Sequence, residues 1–222
     1  AFYLFGDANL AVLFGVFQFV PTILLLPFFP IIFRHVNKIV AIQLAGFLTV
    51  ASGLLLYFIG PEGLMAIKGL FYLLLLVHGT ATVFVVVGSA MILPDIAEIA
   101  KYRTQTEHVG IIWSFHSTVT KLISSVVTSL SLLLLGAFGW VAVTAGSFEE
   151  LKALNAQGIG LQTPQALQGL WTVTYLFPSI GFGLAAIVFL LVKVDRRRIK
   201  TMIRANTGEI TREEAETLLA AK

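Results

Sequence analysis

Cysteine is absent from these 222 residues, which excludes disulfides, thiolate metal sites and a cysteine nucleophile and leaves the redox compartment open. Charge is scarce as well: Asp, Glu, Lys and Arg make up 12% of the chain, about half the share of an ordinary soluble domain. Hydrophobic residues reach 57% and the mean hydropathy is +0.90, so water is not the main solvent. The four histidines, His35, His78, His108 and His116, lack the paired spacing of metal ligands. Phosphate loops, dinucleotide fingerprints, HExxH and GxSxG are all missing, so the sequence shows no apparatus for catalysis. The net charge of +3 lies in short clusters between apolar runs and not along a polar face, which argues against nucleic acid.

What is present is a series of apolar runs. Five reach the roughly 20 residues that a bilayer-spanning helix needs, over 8–33, 39–59, 66–93, 110–139 and 166–194, and 1–6 reads as the end of a sixth. The expected fold is an all-α membrane bundle over residues 1–195, followed by a charged tail over 196–222. The opening AFYLFGD carries no basic region and does not read as a signal peptide, so the chain is expected to begin inside a helix, as a fragment does. Short connections at 34–38, 60–65 and 94–109 predict antiparallel neighbours. Arg34, Lys38, Lys101, Arg103 and the basic run from Lys193 to Arg204 fall on one side, and only Lys68 and Lys152 on the other. Positive charge collects on the cytoplasmic side, which places the C-terminus there and the protein in the cell (inner) membrane.

Breakers interrupt several spans: Pro21, Pro27 and Pro30 in the first, Pro94 at the end of the third and Pro178 in the fifth. Such residues kink helices and release backbone groups that need partners inside the bundle. The extracytoplasmic loop 145–165 is polar, with a short helix expected at 148–155. In the tail, Thr211 and Glu214 form a capping box, and the bland reading, in which the tail orients and solubilises, is favoured over a regulatory one.

Lys121 is the one Lys or Arg deep within an apolar span. Eleven residues into its helix, at about 1.5 Å each, it stands ~17 Å deep in a hydrocarbon core of about 30 Å. A lysine there costs roughly 2.5–3.5 kcal/mol and is expected to face the bundle interior or a water-filled cavity. On a helical wheel Trp113, Ser117, Thr120, Lys121, Ser124 and Thr128 form one stripe with His116 at its edge, opposite Val119, Leu122, Ile123 and Val126. The stripe reads as the wall of a substrate path in which Trp113 stacks and the hydroxyls and Lys121 form hydrogen bonds. No carboxylate shares its depth: Asp7 and Glu62 lie toward the outer face, and Asp95, Glu98 and Glu107 toward the inner one. Gln18, Gln43 and His78 are expected to make packing hydrogen bonds. At the inner helix mouth, Asp95 and Glu98 precede Lys101 and Arg103, an arrangement able to act as a cytoplasmic gate of ion pairs or to be a solvated helix end.

The run PDIAEIAKYR at 94–103, the opening GIIWSFHSTVTK of the next span, FYLFGD at the start and PQALQGL before the last span together resemble the glycoside–pentoside–hexuronide:cation symporters, the melibiose permease group of the major facilitator superfamily. The resemblance covers nearly the whole chain and matches the C-terminal six helices of that fold, five full spans and the end of a sixth. It implies transport by alternating access, with a small-molecule sugar or glycoside and a coupling cation, H⁺ or Na⁺, as partners. The cation and most of the sugar would be held by an N-terminal half, and no cofactor is implied. The substrate positions carried over are Trp113, His116, Ser117 and Lys121, and Thr120 joins them from the stripe. The inner loop departs from the family pattern at Glu107 and Val109, and the third span lacks a tryptophan. The alternatives weighed are a lipid or amphiphile carrier on the same scaffold and a membrane interaction subunit without transport.

Overall fold

The structure, a computed structural model, describes residues 2–5, 9–191 and 196–220, and is all helical over them. In chain order the helices are α1 (Phe2–Phe5), α2 (Asn9–Leu25), α3 (Phe29–His35), α4 (Lys38–Ala66), α5 (Lys68–Ala90), α6 (Leu93–Thr104), α7 (Val109–Ala137), α8 (Phe148–Ala156), α9 (Pro164–Trp171), α10 (Phe177–Leu191), α11 (Arg196–Asn206) and α12 (Arg212–Ala220). Among the described residues five runs are long and apolar enough to cross a membrane: Gly15–His35, Lys38–Ala66, Lys68–Thr104, Val109–Ala137 and Pro164–Leu191. Asp7, Lys193 and the side chain of Gln18, all used in the sequence reading, lie outside what is described.

Local chemistry explains most of the helix ends. Asn37 caps α4 by accepting from the Ile39 amide at 3.0 Å. Ser147 caps α8, and Thr163 caps α9 just ahead of Pro164. The short loop helix thus forms at 148–156, within a residue of expectation. The prolines of the first span act in three ways. Pro21 lies within α2, Pro27 within a 3₁₀ turn over Leu26–Phe28, and Pro30 in the first turn of α3, where no amide proton is required. Before Pro178 the backbone widens into a π-helical stretch, Thr172–Leu176, a usual accommodation of a mid-helix break.

Two connections expected as loops are helical. The segment 60–65 continues α4 to Ala66, with the break confined to Gly60 at φ +74°, a left-handed conformation glycine adopts freely, ahead of Pro61. The segment 94–109 is mostly α6. Pro94 opens that helix instead of ending the preceding one, because a proline in the first turn forfeits no hydrogen bond, and Asp95 there faces the positive end of the dipole. The chain between α5 and α6 is a single turn at Met91 and Ile92.

The core lies where α4, α5 and α10 meet, with α2 packed on α5. Leu56, Leu64, Phe71, Leu74, Trp171 and Tyr175 fill one end, and Phe29, Phe33 and Val83 another. In lipid, apolar burial gives helices little reason to associate, so close packing and interhelical hydrogen bonds carry the load. Gln43 donates to the Phe189 carbonyl at 2.7 Å, Trp171 Nε1 to the Tyr57 carbonyl at 3.2 Å, and His78 meets the Ser52 hydroxyl at 3.1 Å. Gly46 lets α4 approach Ala186, and Gly53 stands where α5 and α10 both press on α4.

The tail folds back. α11 buries Ile199 and Met202 and lies along α6, while Tyr102, Met202 and Ala215 form a cluster completed by α12. The capping box is formed in both directions: the Thr211 amide donates to Glu214 Oε2 at 2.8 Å, and the Glu214 amide donates to Thr211 Oγ1 at 3.2 Å.

Two expectations follow. A Cβ on Gly53 would collide with the Ser179 hydroxyl and come within 3.2 Å of the His78 ring. Gly53→Val should therefore cost about 1–3 kcal/mol in thermal unfolding of the detergent-solubilised protein. In the capping box, hydrogen bonds from the Thr211 backbone and hydroxyl hold the Glu214 carboxyl below its ordinary range. Its contribution is present above that range and lost as pH falls through the depressed value. Thr211→Ala should lower the protection factors of amides across 212–220 roughly fivefold at constant pH, read by hydrogen-exchange mass spectrometry, and acidification should lower them too once the intrinsic pH dependence of exchange is divided out.

Candidate functional site

α7 differs from every other long helix: none of its 29 residues is buried. Its half-buried positions, Ile112, His116 and Val119 in the first half, mark the side turned toward the bundle. Lys121, nine residues after Ile112 at about 100° each, stands roughly 180° away. Ser117 and Thr128 flank it on the same exposed surface, with Trp113 and Thr120 at the borders. The structure thus brings Trp113, Ser117, Thr120 and Lys121 onto one outward face. It turns His116 aside, half-buried, with its ring edge-on to Trp113 at 6.4 Å and 79°. Val119 is also half-buried, although the wheel set it on the lipid-facing side. Among the described residues Lys121 forms no ion pair and no carboxylate approaches it. The stripe offers a fixed cation, several hydroxyls and an indole face, a set suited to a polyhydroxylated solute.

The second candidate group does not pair as expected. Asp95 does not turn to Lys101 or Arg103. It takes both of its hydrogen bonds from Lys38 of α4, at 2.8 and 2.9 Å, and the same ammonium donates to the Met91 carbonyl at 3.1 Å. Both side chains are about a quarter exposed or less, so this pair is better shielded from water than the others. Glu98 accepts from Asn206 of the tail at 2.8 Å, and that amide also reaches the Glu98 carbonyl. Lys101 pairs with Glu107 at 2.7 Å, a hydrogen bond that holds the Glu107 carboxyl below its usual range. Arg103 is exposed. The cause is the helical form of 93–104: Asp95 sits in the first turn against α4, and Glu98, one turn on, faces α11.

Sequence reasoning assigned Lys38 only to topology and passed over Asn206. Folding α4 onto α5 about the turn at 66–67 would have found the lysine, because Lys38–Asp95, Ile42–Gly88 and Ser52–His78 are all centred close to that turn.

A third polar group lies at mid-helix. A cavity of about 320 Å³ is lined by Phe17 of α2, His78 and Thr82 of α5, and Thr174 and Tyr175 of the π-helical stretch. The Ser52 hydroxyl lies 2.7 Å from the Leu48 carbonyl and 3.1 Å from His78 Nδ1, which joins α4 to α5 beside the cavity. Thr82 Oγ1 is buried without a partner among the described residues.

Against known proteins, the chain matches the family described as MFS/sugar transport protein over residues 1–196. It is 26% identical over 193 residues to the uncharacterized symporter YnaJ of Bacillus subtilis (strain 168). That alignment covers 86% of this chain and 37% of the relative, so the chain spans a little over a third of the protein it matches. No solved structure matches it significantly.

The Lys38–Asp95 pair can be weighed by a double-mutant cycle. Lys38→Met and Asp95→Asn, singly and together, should give a coupling of about 1 kcal/mol in thermal unfolding, at the upper end for ion pairs open to water, because this one is bidentate and partly shielded. A coupling near zero would mark it as a solvated contact.

Proposed function

Because the chain belongs to the MFS/sugar transport protein family, a family of non-enzymatic carriers, we propose that it is the C-terminal half of a cation-coupled symporter for a sugar or glycoside, working by alternating access. The observation that carries the reading is the outward stripe of α7, a membrane-length helix whose polar face, centred on Lys121, is left uncovered by its own bundle. A charge cannot rest against hydrocarbon at that depth, so the face turns to water and to a second bundle across a central cavity. In this reading Lys121 donates to substrate hydroxyls or to a carboxylate of the opposite half, Trp113 stacks on the sugar ring, and Ser117 and Thr120 complete the wall with His116 behind them.

The coupling cation, H⁺ or Na⁺, is held mainly by the N-terminal half. The basic end supplies the gate and faces the cytoplasm across the cell membrane. There Asp95 is tied to Lys38, Glu98 to Asn206 and Lys101 to Glu107, with Arg103 free to meet the other half. Opening that side would exchange these contacts for water, a change of modest cost that suits a step repeated in every cycle. A hydroxylated, cationic wall favours a sugar over a purely apolar cargo.

The test is uptake by the full-length protein in proteoliposomes, with a panel of glycosides under imposed H⁺, Na⁺ or Li⁺ gradients. Lys121→Ala should reduce gradient-driven uptake of the preferred glycoside tenfold or more, the loss expected for a charge-assisted hydrogen bond, while Lys121→Arg retains a fraction of it. Wild-type uptake in both variants would remove Lys121 from the pathway.

A further inference from the structure

At the basic end, a cavity of about 220 Å³ opens between the 36–39 turn, the junction of α5 and α6, and α11. Its surface is largely apolar, with Phe33, Ile92 and Ile203 in the wall, and its rim carries Lys38, Asp95, Arg196 and Lys200. These charges do not cancel. Lys38 and Asp95 neutralise each other. The Arg196 guanidinium donates to the Arg34 carbonyl, and neither it nor the exposed Lys200 meets a carboxylate among the described residues. Two cations are therefore left on the edge of an apolar hollow.

Position narrows what can fill it. The last span is described to Leu191, and α11 follows within a few residues, so the cavity lies where hydrocarbon gives way to headgroups. α11 itself contains five basic residues and no acidic one, and it docks on α6 through Ile199 and Met202, which leaves its basic residues at the level where the last span ends. A small anion would satisfy the cations and leave the apolar wall wetted. A neutral hydrocarbon chain would do the reverse.

We infer that this cavity binds one anionic phospholipid of the adjoining leaflet, its phosphodiester held between Arg196 and Lys200 and the upper part of an acyl chain laid along Phe33, Ile92 and Ile203. The site is separate from the Lys121 stripe and does not depend on the identity of the transported solute. Its ligand is part of the solvent in which the protein is embedded, and the bound lipid fastens the tail helix to the first and third spans.

The experiment is a lipid titration of the purified full-length protein by native mass spectrometry, with phosphatidylglycerol, phosphatidylcholine and inorganic phosphate as separate probes. One phosphatidylglycerol should be retained at concentrations where phosphatidylcholine is not, and phosphate should not displace it. A cation at a membrane surface contributes roughly fivefold in affinity, so Lys200→Gln should weaken retention about fivefold and the Arg196→Gln/Lys200→Gln pair about thirtyfold. Arg198→Gln removes the same charge from the same helix outside the cavity and should change retention less than twofold. Ile203→Trp keeps every charge, fills the hollow and should also abolish selective retention. Equal losses for Arg198→Gln and Lys200→Gln would reduce the site to diffuse attraction. Equal retention of phosphatidylcholine, displacement by inorganic phosphate, or wild-type retention by the double variant would each overturn it. Unfolding temperatures report whether a variant is folded; should the double variant fail to fold, Lys200→Gln, whose ammonium makes no hydrogen bond among the described residues, decides the matter against Arg198→Gln.

Discussion

A polar group in hydrocarbon has nowhere to turn but to the protein, and this constraint organises the molecule. Backbone groups are satisfied by helices. Hydroxyls on the spans donate to carbonyls one turn back, as Thr49 does to Ala45, Ser52 to Leu48 and Ser179 to Tyr175. Polar side chains too long for that solution reach across helices, as Gln43 does to Phe189 and His78 to Ser52. Lys121 has neither solution among the described residues. The rest of the fold can be read around that exception: α4, α5 and α10 close on one another and pair most of their polar groups, Thr82 excepted, while Lys121 of α7 stays exposed.

Span number and order were legible because length and hydropathy suffice to find helices in lipid. Their ends were less so. Pro94 looks like a terminator in a sequence, yet a proline costs nothing in the first turn of a helix, whereas Gly60 does break the helical path, at one residue of positive φ between two helical pieces. A rule stated for helix interiors misleads at boundaries.

For the candidate site the split is similar. The stripe of α7 follows from a 100° period, and the structure keeps Trp113, Ser117, Thr120 and Lys121 together. The mouth of the helix did not follow, because pairing there depends on which helices are neighbours. Asp95 and Lys101 lie six residues apart on one helix, a spacing that sets their side chains on different faces, whereas Lys38 arrives from a separate helix once α4 and α5 are laid antiparallel. The tail was read as a solvated appendage because its charges dominate its composition. Ile199, Met202 and Ala215 are few, but correctly spaced to dock against Tyr102.

The distribution of burial explains why α7, and not another span, carries the polar face. α4 buries nine residues, more than half of them glycine, alanine, serine or threonine, and α5 buries eight, with Gly79, Ala81 and Gly88 among larger side chains, and these small residues admit close backbone approach. Such surfaces are committed to neighbours that stay in place. α7 makes its few contacts with α6, α9 and the π-helical stretch and buries nothing, so its position is not fixed by close packing within its own bundle. A helix with little packing to lose on one side and a charge to satisfy on the other is the least committed element of the bundle. The same argument assigns the opposite role to the basic end. There the first three spans and the tail are joined by Lys38–Asp95, Arg196 to the Arg34 carbonyl, and Asn206–Glu98, contacts that α7 lacks.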